Sequence, residues 1–138
     1  MISADIIVGY PSETEEEFTE TLELLKELRI YHVHSFPYSE RSGTPAATMP
    51  ESVPKEIRSK RNTHLLAECG KVRESIFEGM VGKVLSVLVE KIQDGVANGH
   101  SEEFIETAFP ADKNVSVGSI LNIKITSYDS DRLYGRMN

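Results

Sequence analysis

Two short apolar runs separated by one well-capped helix open the chain, and a crossover that brief leaves little freedom in how the runs pair. Asp5–Gly9 (Asp-Ile-Ile-Val-Gly) is a continuous apolar run ending in glycine, as expected of a strand buried on both faces. After the turn Tyr10-Pro11-Ser12-Glu13-Thr14, the pattern predicts a helix from about Glu15 to Leu28. Thr14 can cap it, with Glu17 three residues later completing a capping box, and Glu15, Glu16 and Glu17 place negative charge where the helix dipole favours it. Phe18, Leu22, Leu25 and Leu28 make one apolar stripe. Tyr31–Phe36 reads as the second strand. A strand–helix–strand unit implies parallel pairing, and parallel sheets are normally covered on both faces. One helix cannot cover both. The expectation is a piece of a larger α/β sheet or barrel, with Met1 falling at a cut inside a domain.

Ser39–Val53, with Gly43, Pro45 and Pro50, reads as a linker, and Pro54 suits the first position of a helix. That helix is expected from about Pro54 to Glu78, with Ile57, Leu65, Cys69, Val72 and Ile76 on one stripe, the stem of Arg61 filling it, and Gly70 a weak point. From Val81 the period changes to alternation. Val81–Glu90 is a strand with Val81, Lys83, Leu85, Val87 and Val89 on one face, and Gly82, Val84, Ser86, Leu88 and Glu90 on the other. Gln93-Asp94-Gly95 and Ala97-Asn98-Gly99 both read as turns. Further strands are expected at Glu103–Phe109, Ser119–Tyr128 and Arg132–Met137. Several short strands in about sixty residues suggest a small closed antiparallel barrel, which removes exposed edges. The chain therefore divides into 1–50, an α/β unit; 51–78, a linking helix; and 79–138, a β-barrel.

Chemistry is restricted mainly by what is scarce. Cys69 is the sole cysteine among 138 residues, which excludes an intrachain disulfide and a metal site built from several cysteines. At helical spacing Cys69 is a small core residue rather than a reactive thiol. His32, His34, His64 and His100 show no ligand spacing. The net charge of −7 is concentrated at the start: residues 1–50 hold nine acids against three bases, whereas 51–78 hold five against six and 79–138 eight against six. Strong nonspecific phosphate binding is not expected from that balance. No apolar run approaches the roughly 18–20 residues that cross a bilayer. The first residues lack the basic and apolar parts of a signal peptide, so a cytoplasmic location and no membrane partner are expected. The carboxylates from Glu13 to Glu27 read as a solvated helix face. Ser39 and Ser42 near His34 lack the acid of a nucleophilic triad, and Gly9-Tyr10-Pro11-Ser12 lacks the glycine spacing and lysine of a phosphate loop.

The specific signal lies in longer phrases. Asp5 to Thr14 resembles the D-I-I-V-G-F-P-G-E-T strand and turn of the radical-SAM methylthiotransferases, with Ser12 standing where the family has glycine. His34-Ser35-Phe36-Pro37-Tyr38-Ser39-Glu40-Arg41-Ser42-Gly43-Thr44-Pro45-Ala46-Ala47 resembles their H-V-F-P-Y-S-x-R-x-G-T-P-A-A stretch, and Met49-Pro50, Val53-Pro54 and Lys60-Arg61 continue it in order. Gly82–Leu85, Val89-Glu90, Gly99, Phe104 and Leu133-Tyr134-Gly135 resemble the TRAM domain appended to those enzymes, a small OB-like RNA-binding β-barrel.

The resemblance implies the C-terminal part of a radical-SAM α/β barrel, a linking helix and a TRAM barrel. It implies a parent enzyme that uses S-adenosylmethionine and two 4Fe-4S clusters to add a methylthio group to C2 of N6-threonylcarbamoyladenosine, 3′ of the tRNA anticodon. The isopentenyladenosine and ribosomal-protein branches of the family are similar. It further implies that Ile7, Gly9, Phe36 and Tyr38 lie against S-adenosylmethionine, and that Lys83, Lys91, His100 and Phe104 contact tRNA, with Phe104 alternatively barrel core. The six cluster cysteines have no counterpart here, so the chain alone is expected to be inactive. tRNA is the expected partner, with no obligate protein partner. The competing expectation is a stand-alone RNA-binding module that uses the barrel without catalysis.

Overall fold

The structure, a computed structural model, describes residues 2–138. They form two compact units, residues 2–73 and residues 74–138.

The first unit holds two parallel strands, β1 (Ser3–Val8) and β2 (His32–Pro37), joined through helix α1 (Glu15–Glu27). Thr14 Oγ1 accepts from the Glu17 amide at 3.1 Å and the Glu17 carboxylate accepts from the Thr14 amide at 2.8 Å, so the expected capping box is formed. Val8 from β1, Phe18, Leu22 and Leu25 from α1, Ile30, and Leu65 and Cys69 from helix α2 (Lys55–Glu78) make the buried core, with Ala4, Ile6 and Val33 packed on it. Burial pushes the Cys69 thiol up from its ordinary value, the neighbouring Glu68 carboxylate adding to the effect, as suits an unreactive core thiol.

Only one face of the β1–β2 pair is covered by this core. The described residues of this unit hold one parallel strand pair with one connecting helix, and no α/β barrel. Helix α2 begins one residue later than expected and runs unbroken through Gly70, with a short 3-10 turn at Pro45–Thr48 before it.

In the second unit, β3 (Val84–Gln93), β4 (Val96–Ser101), β5 (Glu106–Pro110), β6 (Ile120–Tyr128) and β7 (Leu133–Met137) close into a barrel in the order β3-β4-β5-β7-β6. All pairs are antiparallel except β5 with β7, which run parallel through Thr107–Leu133 and Ala108–Tyr134, so the expectation of a purely antiparallel barrel is corrected. Leu85, Val87, Val89, Ile105, Phe109, Ile123, Ile125 and Leu133 fill the interior. The last turn of α2 adds Ile76 and Phe77, whose ring meets Tyr128 edge-on at 6.0 Å.

Asp94 and Gly95 both take positive φ (51° and 77°), making the tight hairpin turn expected there. Ala97-Asn98-Gly99 is not a turn but the middle of β4. Gly99 does not need positive φ. A Cβ there would collide with the Leu88 carbonyl of the neighbouring strand, where β3 is bulged between Val89 and Lys91. β3 starts at Val84, later than expected, because Gly82 at φ 87° turns the chain into it. No helix among the described residues is long and apolar enough to cross a membrane.

Candidate functional site

In the parallel pair, Ile7 lies beside Phe36, Asp5 beside His34 and Ser3 beside His32, all on the face that the core leaves open. Ile7 is 58% exposed and Phe36 56%, which is unusual for large apolar groups paired across adjacent strands. They sit one residue before the carboxyl ends of their strands, the end at which open α/β sheets bind ligands.

A cleft of about 540 Å³ opens there, lined by Ile7, Phe36, Pro37 and Tyr38 and walled by Ser39, Arg41, Thr44 and Ala46 of the following segment. Tyr38 is half-buried. Its amide donates to the Val8 carbonyl at 2.8 Å, its ring meets Tyr10 edge-on at 5.4 Å, and its buried hydroxyl has no hydrogen-bond partner. Three of the four residues expected at this site, Ile7, Phe36 and Tyr38, are therefore brought together.

Gly9 is placed differently. It is buried at φ 72°, a Cβ on it would run into the Arg58 side chain of α2, and its amide donates to Glu13 Oε2 at 2.7 Å. Its lack of a side chain is required by helix packing, whatever binds in the cleft.

The turn after β1 is held by charge. Glu13 was expected on a solvated helix face, but its carboxylate takes both the Gly9 amide and the Arg61 guanidinium, and Arg61 reaches on to Glu15 at 3.0 Å. Arg61 is buried with its stem in the helix stripe, as expected, and its guanidinium lies over the Phe18 ring at 5.4 Å. Ser12, where the resembling family has glycine, takes φ 72°, a conformation that glycine adopts at no steric cost. On the open face the His32 and His34 rings touch, Nε2 to Nε2 at 3.0 Å. Burial lowers the His32 pKa, with the His34 and Arg73 charges reinforcing it and Asp5 opposing. Arg58, a buried arginine in the first turn of α2, escaped sequence reading, since a cation on a helix is ordinarily read as solvated.

The barrel carries a second surface. Phe104 is 77% exposed at φ 64°, so it is not barrel core; a tight turn from Ser101 turns it outward, and its ring lies 5.2 Å from that of His100 at 32°. His100 pairs across the sheet with Leu88, and Leu88 in turn with Ile120, which makes a partly exposed row on three strands. His100 Nδ1 meets Glu90 Oε2 at 2.8 Å. Lys83 and Lys91 are exposed, but Lys83 directly precedes β3 and Lys91 lies near its far end, eight residues or roughly 26 Å apart along an extended chain. The expected set thus divides. His100 and Phe104 form one aromatic platform, and the two lysines do not join into one basic patch. With Glu90 paired to His100, the platform suits stacking better than phosphate neutralisation.

The adenosyl group of S-adenosylmethionine fits the cleft: flat apolar contacts from Ile7 and Phe36, hydroxyls and a guanidinium in the wall, and the orphaned Tyr38 hydroxyl beside them. An iron–sulfur cluster does not fit the residues of this chain. Cys69 is its sole cysteine and lies in the core, and the described residues include no group of three His, Cys, Asp or Glu able to hold a metal.

No protein-family model matches the chain. It is 36% identical over 137 residues to a tRNA-2-methylthio-N(6)-dimethylallyladenosine synthase of Acetivibrio thermocellus, the match covering 97% of this chain and 28% of that protein. It is 30% identical over 135 residues to the threonylcarbamoyladenosine tRNA methylthiotransferase MtaB of Chlamydia pneumoniae, covering 98% of the chain and 32% of that protein. A tRNA-2-methylthio-N(6)-dimethylallyladenosine synthase of Staphylococcus haemolyticus is 37% identical over 127 residues, covering 90% and 24%. The chain thus spans between 24% and 32% of the length of these relatives.

Proposed function

The chain belongs to the tRNA methylthiotransferase family, matching a C-terminal part of its members, and from that premise we propose that it supplies two binding surfaces to a cytoplasmic enzyme that methylthiolates tRNA. One is the cleft at the β1–β2 end, which takes the adenosyl group of S-adenosylmethionine. The other is the His100–Phe104 face of a TRAM-type barrel, which takes tRNA. The observation that carries the reading is the side-by-side exposure of Ile7 and Phe36 at the carboxyl ends of two parallel strands. Burying such a pair against an adenine gains about 25 cal/mol per Å² of apolar surface covered.

S-adenosylmethionine, bound together with an iron–sulfur cluster, supplies radical activation and the methyl group of the product. This chain's residues bind and orient. Ile7 and Phe36 offer apolar contact to the adenine, Tyr38 and the segment after it exclude water from one side, and Ser39 and Arg41 present polar groups to the ribose and the charged tail. With no cluster ligand set of its own, the chain alone is expected to show no turnover.

For the modified base, the phrase His34–Ser39 supports N6-threonylcarbamoyladenosine in the anticodon region. A second reading, N6-dimethylallyladenosine, is favoured by the higher identity of relatives bearing that name, 36% and 37% against 30%. Deleting the gene that encodes this chain and measuring tRNA nucleosides by mass spectrometry decides between them. Loss of the 2-methylthio form of the threonylcarbamoyl nucleoside is expected. Loss of the dimethylallyl form instead would establish the second reading, and retention of both would overturn the proposal.

A further inference from the structure

One side chain holds the cleft wall in place without lining it. Arg58 is 3% exposed, and all three of its guanidinium nitrogens donate, in four hydrogen bonds. Nε donates to the Val53 carbonyl at 2.6 Å, Nη1 to the Tyr38 carbonyl at 2.8 Å, and Nη2 to both Glu40 Oε1 at 2.6 Å and Ser52 Oγ at 2.8 Å. The guanidinium also lies over the Tyr38 ring, 5.1 Å from its centroid. The partners fall into two groups. Tyr38 and Glu40 stand where the segment 39–53 begins, and Ser52 and Val53 where it ends. Between them lie Ser39, Arg41, Thr44 and Ala46, the residues that wall the cleft.

A loop of that length whose ends are drawn together can be a rigid functional element. Within it the backbone bonds span three residues each, Thr44 to Arg41, Ala47 to Thr44 and Met49 to Ala46, and one bond leaves it, from the Ser12 amide of the turn after β1 to the Glu51 carbonyl at 2.9 Å. The former shape local turns, and none of these bonds joins the two ends. A buried guanidinium is costly to keep unless it is hydrogen-bonded, and here all four bonds go to residues at the two ends of this segment. The arginine stem also fills the space above Gly9, so the same side chain packs on the turn that follows β1.

We propose that Arg58 is the positioning residue of the cleft, a clasp that ties both ends of the 39–53 segment and thereby fixes the wall against which the adenosyl group rests. The ligand in this statement rests on the reading given under Proposed function; the clasp itself rests on Arg58 and its partners. Lysine cannot replace it, because a single ammonium on a flexible stem cannot reach carbonyls, a hydroxyl and a carboxylate in a fixed fork. Arg61, one turn further along α2, serves a different purpose by holding the Glu13 turn.

The test is residue-resolved amide hydrogen exchange on the chain and on its Arg58→Lys, Glu40→Gln and Gly9→Ala variants, each also titrated with S-adenosylmethionine and followed through the Ile7 and Phe36 resonances. In Arg58→Lys, the amides of Thr44, Ala47 and Met49 should exchange about tenfold faster or more, while those of Leu22, Leu25 and Val87 stay at the parent rate. Gly9→Ala should give the same signature with Arg58 present, because its Cβ displaces the arginine stem. Glu40→Gln should give a smaller rise, since the glutamine amide oxygen can still accept from Nη2 and only the charge of the pair is lost.

S-adenosylmethionine should bind Arg58→Lys about tenfold more weakly than the parent chain. Parent-like exchange in the segment, or an equal rise throughout α1, would overturn the clasp. Equal affinity in parent and Arg58→Lys would overturn its positioning role. If the parent chain gives no S-adenosylmethionine shifts while the exchange signature appears, the ligand reading fails and the clasp stands.

Discussion

The two units solve the problem of a small sheet in opposite ways. In residues 74–138 five strands close on themselves, and the interior is filled by aliphatic side chains and Phe109. In residues 2–73 two strands leave one face open, and the turns at their ends are held by buried arginines, Arg58 and Arg61, locked to carboxylates and carbonyls. Closure makes every strand an interior strand and needs no charge in the core. An open pair must fix its loops by other means, and polar tethers fix position more sharply than apolar contact does. That is useful where a loop walls a cleft. The exposed apolar groups differ in the same way: Ile7 and Phe36 lie at the open end of the pair, whereas Leu88 and Ile120 lie on the outside of a sheet already complete.

If the units are independent in this sense, core damage should stay local. Phe18→Ala removes the largest buried ring of the first unit and the surface on which Arg61 rests, and should cost about 3–5 kcal/mol. Amide exchange should show loss of protection through α1 and β1, with β3 and β6 unchanged; loss in both units together would break the comparison. The converse experiment is Gly99→Ala. Its methyl group meets the Leu88 carbonyl, backbone that cannot swing aside, so the barrel should lose about 3 kcal/mol. Circular dichroism melting should then show the barrel transition falling while the first unit's remains.

Surface changes sharpen the contrast further. Phe104→Ala should leave barrel stability within about 0.5 kcal/mol, because the ring is exposed. It should weaken tRNA binding by about 1–3 kcal/mol if the ring stacks on a base; unchanged affinity in a filter-binding titration would remove the platform from the RNA surface. Ser12→Gly acts in the first unit and in the stabilising direction. Relief of a left-handed backbone is worth about 1–2 kcal/mol. The added freedom of glycine in the unfolded chain takes back about 0.5–1 kcal/mol. A net gain of about 0.5 kcal/mol should appear in urea titration.

What sequence reading could reach follows the range of the interactions. The capping box at Thr14 and Glu17, the helix through Glu78 and the inward face Leu85–Val87–Val89 are set by neighbours within a turn or by alternation, and all three are present in the structure. Two of the places that escaped that reading depend on contacts distant in sequence. Asn98-Gly99 carries the composition of a turn, but Gly99 is glycine because a carbonyl on another strand crowds it. Arg58 looks like any surface cation until Tyr38, Glu40, Ser52 and Val53 are brought around it. The cleft lies between these cases. Ile7, Phe36 and Tyr38 were legible as a phrase, whereas Gly9 was legible as a necessary glycine but not for its actual reason, the Arg58 stem above it.

The smallest expected effect separates the units by pH. Burial, with the nearby His34 and Arg73 charges, holds the His32 pKa below the 6.5 of an unfolded histidine. Between those two values the unfolded chain binds more protons than the folded unit. Stability of the first unit therefore rises with pH through that window, is complete above about 6.5, and declines as the solution is acidified below it. The displaced carboxylates act at lower pH. Glu40, held at about 2 chiefly by its hydrogen bond from Arg58, and Glu68, held at about 2 by Lys71 and Lys26, stabilise the first unit above the ordinary carboxylate range, and that contribution disappears as pH falls toward 2. Asp129, held at about 2 first by the Tyr134 hydroxyl and then by the Asp131 and Arg132 amides, does the same for the barrel. Exchange measured from pH 7.5 to 5 should thus show a slight loosening at β2 alone, removed by His32→Gln. A parallel loosening of β3 or β6 over the same range would mean that the two units share a titrating group and are not independent.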